Sequence, residues 1–151
     1  MTIFVGKNPG KLIQNIIEND FDLMIDKIKN ELGYTVRQTV LTQLEDFKKF
    51  KGVLDTFIKY CKVLNYTVSF KVIKGNQKIE NDNLEEILEK IRKNYKMTKE
   101  KFSNKILNLS DYNYTYRTFE RKSCQFKKIR DIFEKKLDYE FYYILKERSD
   151  N

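Results

Sequence analysis

Two stretches of the chain place side chains that can hydrogen-bond nucleic acid directly after a turn residue. The first stretch, LGYTVRQTVLTQLEDF (32–47), supplies Thr35, Arg37, Gln38, Thr39 and Thr42. The second stretch, LNLSDYNYTYRTFERK (107–122), supplies Ser110, Asp111, Tyr112, Asn113, Tyr114 and Arg117. Most of these groups can bond guanine, adenine or phosphate, which predicts base contacts. The tyrosines of the second stretch, Tyr112 and Tyr114 above all, suit a protein interface equally well. Tyr116 is interpreted as a core residue.

Basic corners follow both stretches and are the predicted phosphate contacts. They comprise Lys48, Lys49 and Lys51 after the first stretch, and Arg121, Lys122, Lys127 and Lys128 after the second. The formal net charge of +8 favours a polyanionic partner, nucleic acid first and an acidic membrane surface second. A lysine-coated, solvated surface with no partner is the alternative interpretation.

The composition argues against an enzyme and against a metal or cofactor site. The chain has no histidine and two cysteines, so zinc binding and histidine-dependent catalysis are not expected. Cys61 lies among apolar residues and is interpreted as structural, whereas Cys124 beside basic residues is either an inert or a reactive thiol. No apolar run approaches the roughly 20 residues that span a bilayer, and the N-terminus has no signal-peptide pattern, which predicts a cytoplasmic protein.

The same order of elements is predicted twice. Apolar residues at helical spacing indicate four helices in residues 9–64, and alternation in NYTVSFKVI indicates a strand after them. An offset of 75 residues repeats the pattern, placing Thr35 on Ser110 and Glu45 on Glu120, and two residues are lost before LNYTVSF falls on LDYEFYY. The prediction is therefore a mostly α chain with short β: two four-helix modules, 9–73 and 83–146, each followed by a strand, with a linker at 74–82.

Each module has the sequence form of a helix-turn-helix. A Gly or Asn reverses the chain, a hydrophobic residue fills the angle between the helices, and Thr35 or Ser110 is predicted to cap the third helix. The second module, LEEILEKIRKNYKMTKEKFSNKILNLSDYNYTYRTFERK, resembles the Cro/cI/Xre (lambda repressor-like) helix-turn-helix family. The resemblance rests on Thr98 opening the second helix, the Phe102–Ser103 pair, and Glu120 closing the third. The first module resembles that family in LGYTVRQTVLTQLEDF and VLDTFIKYCKVLNYTVSF.

The resemblance implies sequence-specific binding of double-stranded DNA, with the third helices in the major groove. We therefore expect a transcriptional repressor or regulator of a phage or mobile element. The alternative is an inhibitor that binds a protein or nucleoprotein on the same scaffold, such as an anti-CRISPR or a nuclease inhibitor. The duplication predicts a monomeric pseudo-dimer or a homodimer, in which Val68 and Phe70 lie near Phe141 and Tyr143 in one antiparallel ribbon.

Overall fold

A computed structural model describes residues 1–149 as fifteen successive segments. The elements are β1 Ile3–Gly6, α1 Pro9–Ile17, α2 Phe21–Glu31, α3 Arg37–Lys48, α4 Leu54–Val63, β2 Tyr66–Lys74, β3 Gln77–Asn81, α5 Leu84–Tyr95, α6 Lys99–Lys101 with Phe102–Leu107, α7 Tyr112–Glu120, α8 Phe126–Arg130 with Asp131–Lys136, and β4 Glu140–Glu147. The helices α6 and α8 each begin with α-type and continue with π-type hydrogen bonding. A short 3₁₀ turn, Glu18–Asp20, joins α1 to α2.

Local signals explain where the first helices begin, end and cross. Asn8 caps α1 by accepting the N–H of Lys11 at 3.1 Å, and Pro9 occupies the first helical position, where its missing N–H costs nothing. Gly10 brings α1 against the end of α3, since a Cβ there would lie 2.4 Å from the backbone nitrogen of Lys48. Gly33 follows α2 with φ +75°, the left-handed conformation that glycine adopts without steric cost.

The four strands form one antiparallel sheet in the order β1-β4-β2-β3. Burial alternates along most of β2 and β4, so that the helices cover one face while Lys146 and Thr67 on the other face are exposed. The central pair, β2 and β4, places Phe70 opposite Tyr143 and Val72 opposite Phe141. The predicted antiparallel ribbon between the two halves of the chain is therefore confirmed.

The sheet registers reveal a pseudo-twofold axis between two copies of one unit, the first copy running from β1 to β2 and the second from β3 to β4. Phe70 faces Tyr143, its own counterpart 73 residues later, so the axis passes between them. At the sheet edges, Phe4 of β1 faces Leu145 of β4, and its counterpart Ile79 of β3 faces Val72 of β2. The first strand of each copy therefore pairs with the last strand of the other copy. The duplication seen in the sequence is thus matched by symmetric pairing.

Loops repeat this symmetry. The backbone is left-handed at the same three places in both copies. After the second helix of each copy, φ is +75° at Gly33 and +52° at Asn108. After the third helix it is +60° at both Phe50 and Lys122, and before the last strand it is +68° at Asn65 and +59° at Asp138. The N–H of Leu54 donates to the carbonyl of Cys124 at 2.9 Å, and the N–H of Phe126 donates to the carbonyl of Gly52 at 3.1 Å. These reciprocal bonds join the copies at the start of α4 and α8.

The predicted fold class is wrong. The chain is mixed α/β, not a mostly helical pair of helix-turn-helix modules with one trailing strand each, because four strands from both copies build a single sheet. Strand β1 was not predicted, and β3 lies inside the segment 74–82 that was predicted as a linker. Both strands are short or polar and look like loops in isolation. They become strands because β4 and β2 would otherwise expose unpaired backbone groups.

Aromatic side chains fill the core where the copies meet. Phe126 of the second copy lies with its ring centroid 5.6 Å from both Phe47 and Phe57 of the first copy, and 5.9 Å from Tyr143 of β4. The pairs are edge-to-face, the arrangement that aromatic quadrupoles favour. One core therefore serves both copies.

Candidate nucleic-acid interface

The predicted reading face of the first copy lies along α3 and carries mixed charge. Arg37 forms an exposed ion pair with Asp22 of α2, and Gln38 Nε2 donates to Thr42 Oγ1 at 3.3 Å. Glu45 shares the exposed side of the helix and pairs with Lys48 at 2.9 Å. The structure brings the predicted residues onto one helix, with Thr35 exposed and Thr39 half-buried beside them. Two carboxylates compete there for the cations that a phosphate would need.

The start of α3 differs from the prediction, and so does the start of α7. Val36, not Thr35, occupies the cap position of α3 and makes no side-chain capping bond. Asp111, not Ser110, caps α7 by accepting the N–H of Tyr114 at 3.3 Å. Thr98 does cap α6, as predicted, by accepting the N–H of Lys101 at 3.3 Å. A carboxylate is as good a cap as a hydroxyl, which explains the shift by one residue at α7.

The tyrosines of α7 separate into buried and exposed members. Tyr112 is buried, with its ring against Phe102 at 6.1 Å and its hydroxyl donating to Glu89 at 2.6 Å. Tyr116 is half-buried and packs against Tyr112. Tyr114 is 68% exposed, and Asn113 and Arg117 are exposed beside it. Of the two tyrosines predicted as contacts, Tyr114 is exposed, whereas Tyr112 belongs to the core.

The bonds from Arg92 and Tyr112 to Glu89 give a testable pH dependence. The Arg92 guanidinium, followed by the Tyr112 hydroxyl, lowers the pKa of Glu89 from 4.5 to about 2. Because the pKa is lower in the native state, this stabilisation is complete above about pH 4.5 and is lost as the pH falls toward 2. The free energy of unfolding of the wild type falls between pH 6 and pH 3, and Glu89 accounts for about 2 kcal/mol of this fall. We expect the fall to be smaller by that amount in Glu89→Gln. Urea denaturation at both pH values measures it.

Glu86→Gln is the matched control for this measurement, since Glu86 is an exposed glutamate of the same helix. It should leave the pH dependence of the wild type intact. An unchanged pH dependence in Glu89→Gln would show that Glu89 is not the group responsible.

The basic corners of the two copies meet at one surface. Lys49 and Lys51 of the first copy line a cavity of about 180 Å³ together with Lys127, Arg130 and Lys135 of α8. A neighbouring groove of about 300 Å³ shares Lys127 and Lys135 and adds Lys128, Gln125 and Asp131. We call the lysines that line these two grooves the junction surface: Lys49, Lys51, Lys127, Lys128 and Lys135.

The lysines of the junction surface form no ion pairs among the described residues. Within residues 1–149, none of its five lysines has a carboxylate oxygen within 4.0 Å, whereas Arg130 is paired with Glu134 at 3.7 Å. The guanidinium of Arg130 also stacks over the ring of Phe50, 3.9 Å from its centroid. Phe50 has φ +60°, an unfavourable conformation for an aromatic residue, and this turn places its ring under Arg130. The arrangement holds five lysines together, none of them in an ion pair within residues 1–149, while Asp131 of the same groove pairs with Lys136 at 3.4 Å.

The other predicted phosphate contacts lie outside the junction surface. Lys48 is paired with Glu45, and Lys122 Nζ donates to Asn83 Oδ1 at 3.4 Å, while Arg121 is exposed beyond α7. Lys135 was missed by the sequence reasoning, as were Arg130 and Phe50. The signal for Lys135 was its position eight residues after Lys127 on one amphipathic helix, which places both on one side.

The lysines of the junction surface are not all repeated about the pseudo-twofold axis. Lys127 corresponds to Asp55 of the first copy, which forms an ion pair with Lys59 at 3.2 Å. Lys135 corresponds to Lys62. Because the scaffold is symmetric and the charge is not, the fold by itself does not require this cluster.

Both cysteines are buried, which bears on their reactivity. Burial raises the pKa of the Cys124 thiol to about 12 and also raises the pKa of Cys61. Both thiols are therefore protonated near neutral pH, which disfavours the reactive interpretation of Cys124.

No helix within residues 1–149 combines the length and apolar character that crossing a bilayer requires. No family model, curated protein or solved structure matched the chain. The resemblance to the Cro/cI/Xre family stays a prediction from the sequence.

Proposed function

We propose that the protein binds double-stranded DNA and that the junction surface contacts the phosphate backbone. The observation that carries this proposal is the convergence of five lysines from both copies on one side of the molecule, without a carboxylate partner among the described residues. Lysine ammonium groups on flexible stems are common phosphate contacts and supply affinity rather than sequence preference.

Sequence preference is assigned in this proposal to α3, whose last turn leads into the junction surface. The helix has twelve residues, so Gln38 near its start lies roughly 16 Å along the helix axis from Lys49. That span allows Gln38 and Thr42 to approach base edges while Lys49 and Lys51 contact phosphate. A regulator of transcription in the cytoplasm, from a phage or mobile element, is the biological role that we propose for such a protein.

The salt dependence of DNA binding tests the proposal. If all five lysines contact phosphates, the affinity for a 20-base-pair duplex should fall with a slope of about −4 to −5 in a plot of log K against log salt concentration, because each contact releases about 0.9 counterion. Fluorescence anisotropy between 0.05 and about 0.3 M potassium chloride measures the slope. A flat response would argue against phosphate contacts and favour a protein target.

The second candidate is a protein or nucleoprotein target, with the chain acting as an inhibitor such as an anti-CRISPR. It is favoured by exposed apolar side chains on the first copy: Phe21 is 41%, Leu23 64% and Val36 54% exposed. Phe21 borders a groove of about 450 Å³ that is also lined by Ile17, Leu41 and Leu44. Exposed apolar side chains beside an apolar groove are a feature of protein interfaces. Phe21→Ser with Leu23→Ser would impair this function and leave DNA binding unchanged.

A further inference from the structure

A larger groove continues from the junction surface toward α7. Its volume is about 620 Å³, and it shares Gln125 and Lys128 with the neighbouring basic groove. Tyr114, Asp111 and Leu109 form the side nearest α7, and Cys124 lies on its buried side. The groove is therefore a lateral extension of the surface that we assign to phosphates.

The walls of this groove combine a stacking surface with hydrogen-bonding groups. Tyr114, whose residue surface is 68% exposed, lines the groove. Thr118 Oγ1 donates to the carbonyl of Thr115 at 2.9 Å, so its oxygen lone pairs are available to accept. The side-chain carboxylate of Asp111 accepts the N–H of Tyr114 at 3.3 Å, and Gln125 is exposed. An aromatic ring beside acceptors and an amide matches the face and the polar edge of a nucleobase.

The pseudo-symmetric positions of the first copy have a different character. Where the groove has Asp111, Thr115 and Gln125, the first copy has Val36, Val40 and Val53. Where it has Tyr114 and Lys128, the first copy has Thr39 and Thr56. The symmetric scaffold accommodates apolar residues here, so the polar and aromatic lining is specific to the second copy and to the side that carries the junction surface.

We propose that this groove binds the base of one unpaired nucleotide in DNA whose adjoining phosphates lie on Lys127 and Lys128. Tyr114 stacks on the base, and Asp111, Thr118 and Gln125 face its polar edge. The inference rests on the proposed DNA binding and adds a preference for DNA with an unpaired nucleotide. An unpaired base enters such a groove more easily than a paired one because no base pair is broken.

Fluorescence anisotropy with two probes tests the groove, one a 20-base-pair duplex and the other the same duplex with a single unpaired thymine at its centre. The wild-type protein should bind the second probe about tenfold more tightly, since stacking of one base on an aromatic ring is a sequence-tolerant contact of that order. Tyr114→Ala should reduce the preference to about twofold or less, and Gln125→Ala should reduce it partially. Both side chains are exposed, so the substitutions should not disturb the core.

Tyr142→Ala is the matched control, since it removes a tyrosine from the sheet face, where Lys7 and Lys71 lie over its ring at 5.3 and 5.1 Å. It should retain the full preference. Equal binding of both probes by the wild type would overturn the groove assignment and leave the duplex-binding proposal standing. Equal weakening of both probes by Tyr114→Ala would also overturn it, whereas failure to bind either probe would refute the proposed function itself.

Discussion

Replacing Lys127 and Lys135 by alanine is expected to weaken binding to duplex DNA about 60-fold at 0.1 M salt, since each lost phosphate contact removes about 0.9 power of ten at that concentration. The slope of log K against log salt concentration should decrease by about 2. Both lysines border the two basic grooves and have no carboxylate partner among the described residues, so their loss removes two uncompensated charges. A salt titration followed by anisotropy measures both effects.

The first copy offers a control with the same change in net charge. Lys59 and Lys62 are exposed on α4, and Lys62 is the pseudo-symmetric counterpart of Lys135. Lys59→Ala with Lys62→Ala should reduce affinity by less than about threefold, because only long-range attraction is lost. Equal losses in the two double variants would show that net charge, and not the junction surface, determines binding.

Phe126→Ala is expected to lower the free energy of unfolding by about 3 to 5 kcal/mol, which is a large part of the roughly 5 to 15 kcal/mol available to a typical domain. Phe126 is fully buried and contacts Phe47 and Phe57 of the other copy as well as Tyr143 of β4. Since this ring belongs to the core of both copies, the variant should still unfold in one transition, at a lower denaturant concentration. Urea denaturation followed by circular dichroism provides the measurement.

Phe21→Ala is the control, because Phe21 is 41% exposed. This substitution should lower the free energy of unfolding by less than about 1 kcal/mol. Two separate transitions in Phe126→Ala, with one copy melting at the wild-type midpoint, would contradict a shared core. It would mean that the contacts across the pseudo-twofold axis contribute little to stability.

The candidate site was only partly predictable. The sequence drew attention to Lys49, Lys51, Lys127 and Lys128 because they follow the two repeated stretches, but it offered no reason to place them together. Tyr112 was expected at the surface, yet it is buried: its ring packs against Phe102 of α6, and its hydroxyl donates a hydrogen bond to Glu89 of α5. Spacing along a helix gives the relative direction of side chains on that helix, and it does not tell which direction faces a neighbour.

The amino-acid sequence by itself determined the local elements and the duplication. Apolar residues three and four apart specify the helices, and alternation specifies β2 and β4, because these patterns act over a few neighbouring residues. Only the tertiary structure decided that β1 and β3 are strands and that all four strands form one sheet. β1 depends on the free backbone groups of β4 near the other end of the described chain, and β3 depends on those of β2 across a turn. The junction surface has the same origin: Lys49 and Lys51 meet Lys127 and Lys135 because the copies pack about a pseudo-twofold axis, a contact that no local pattern encodes.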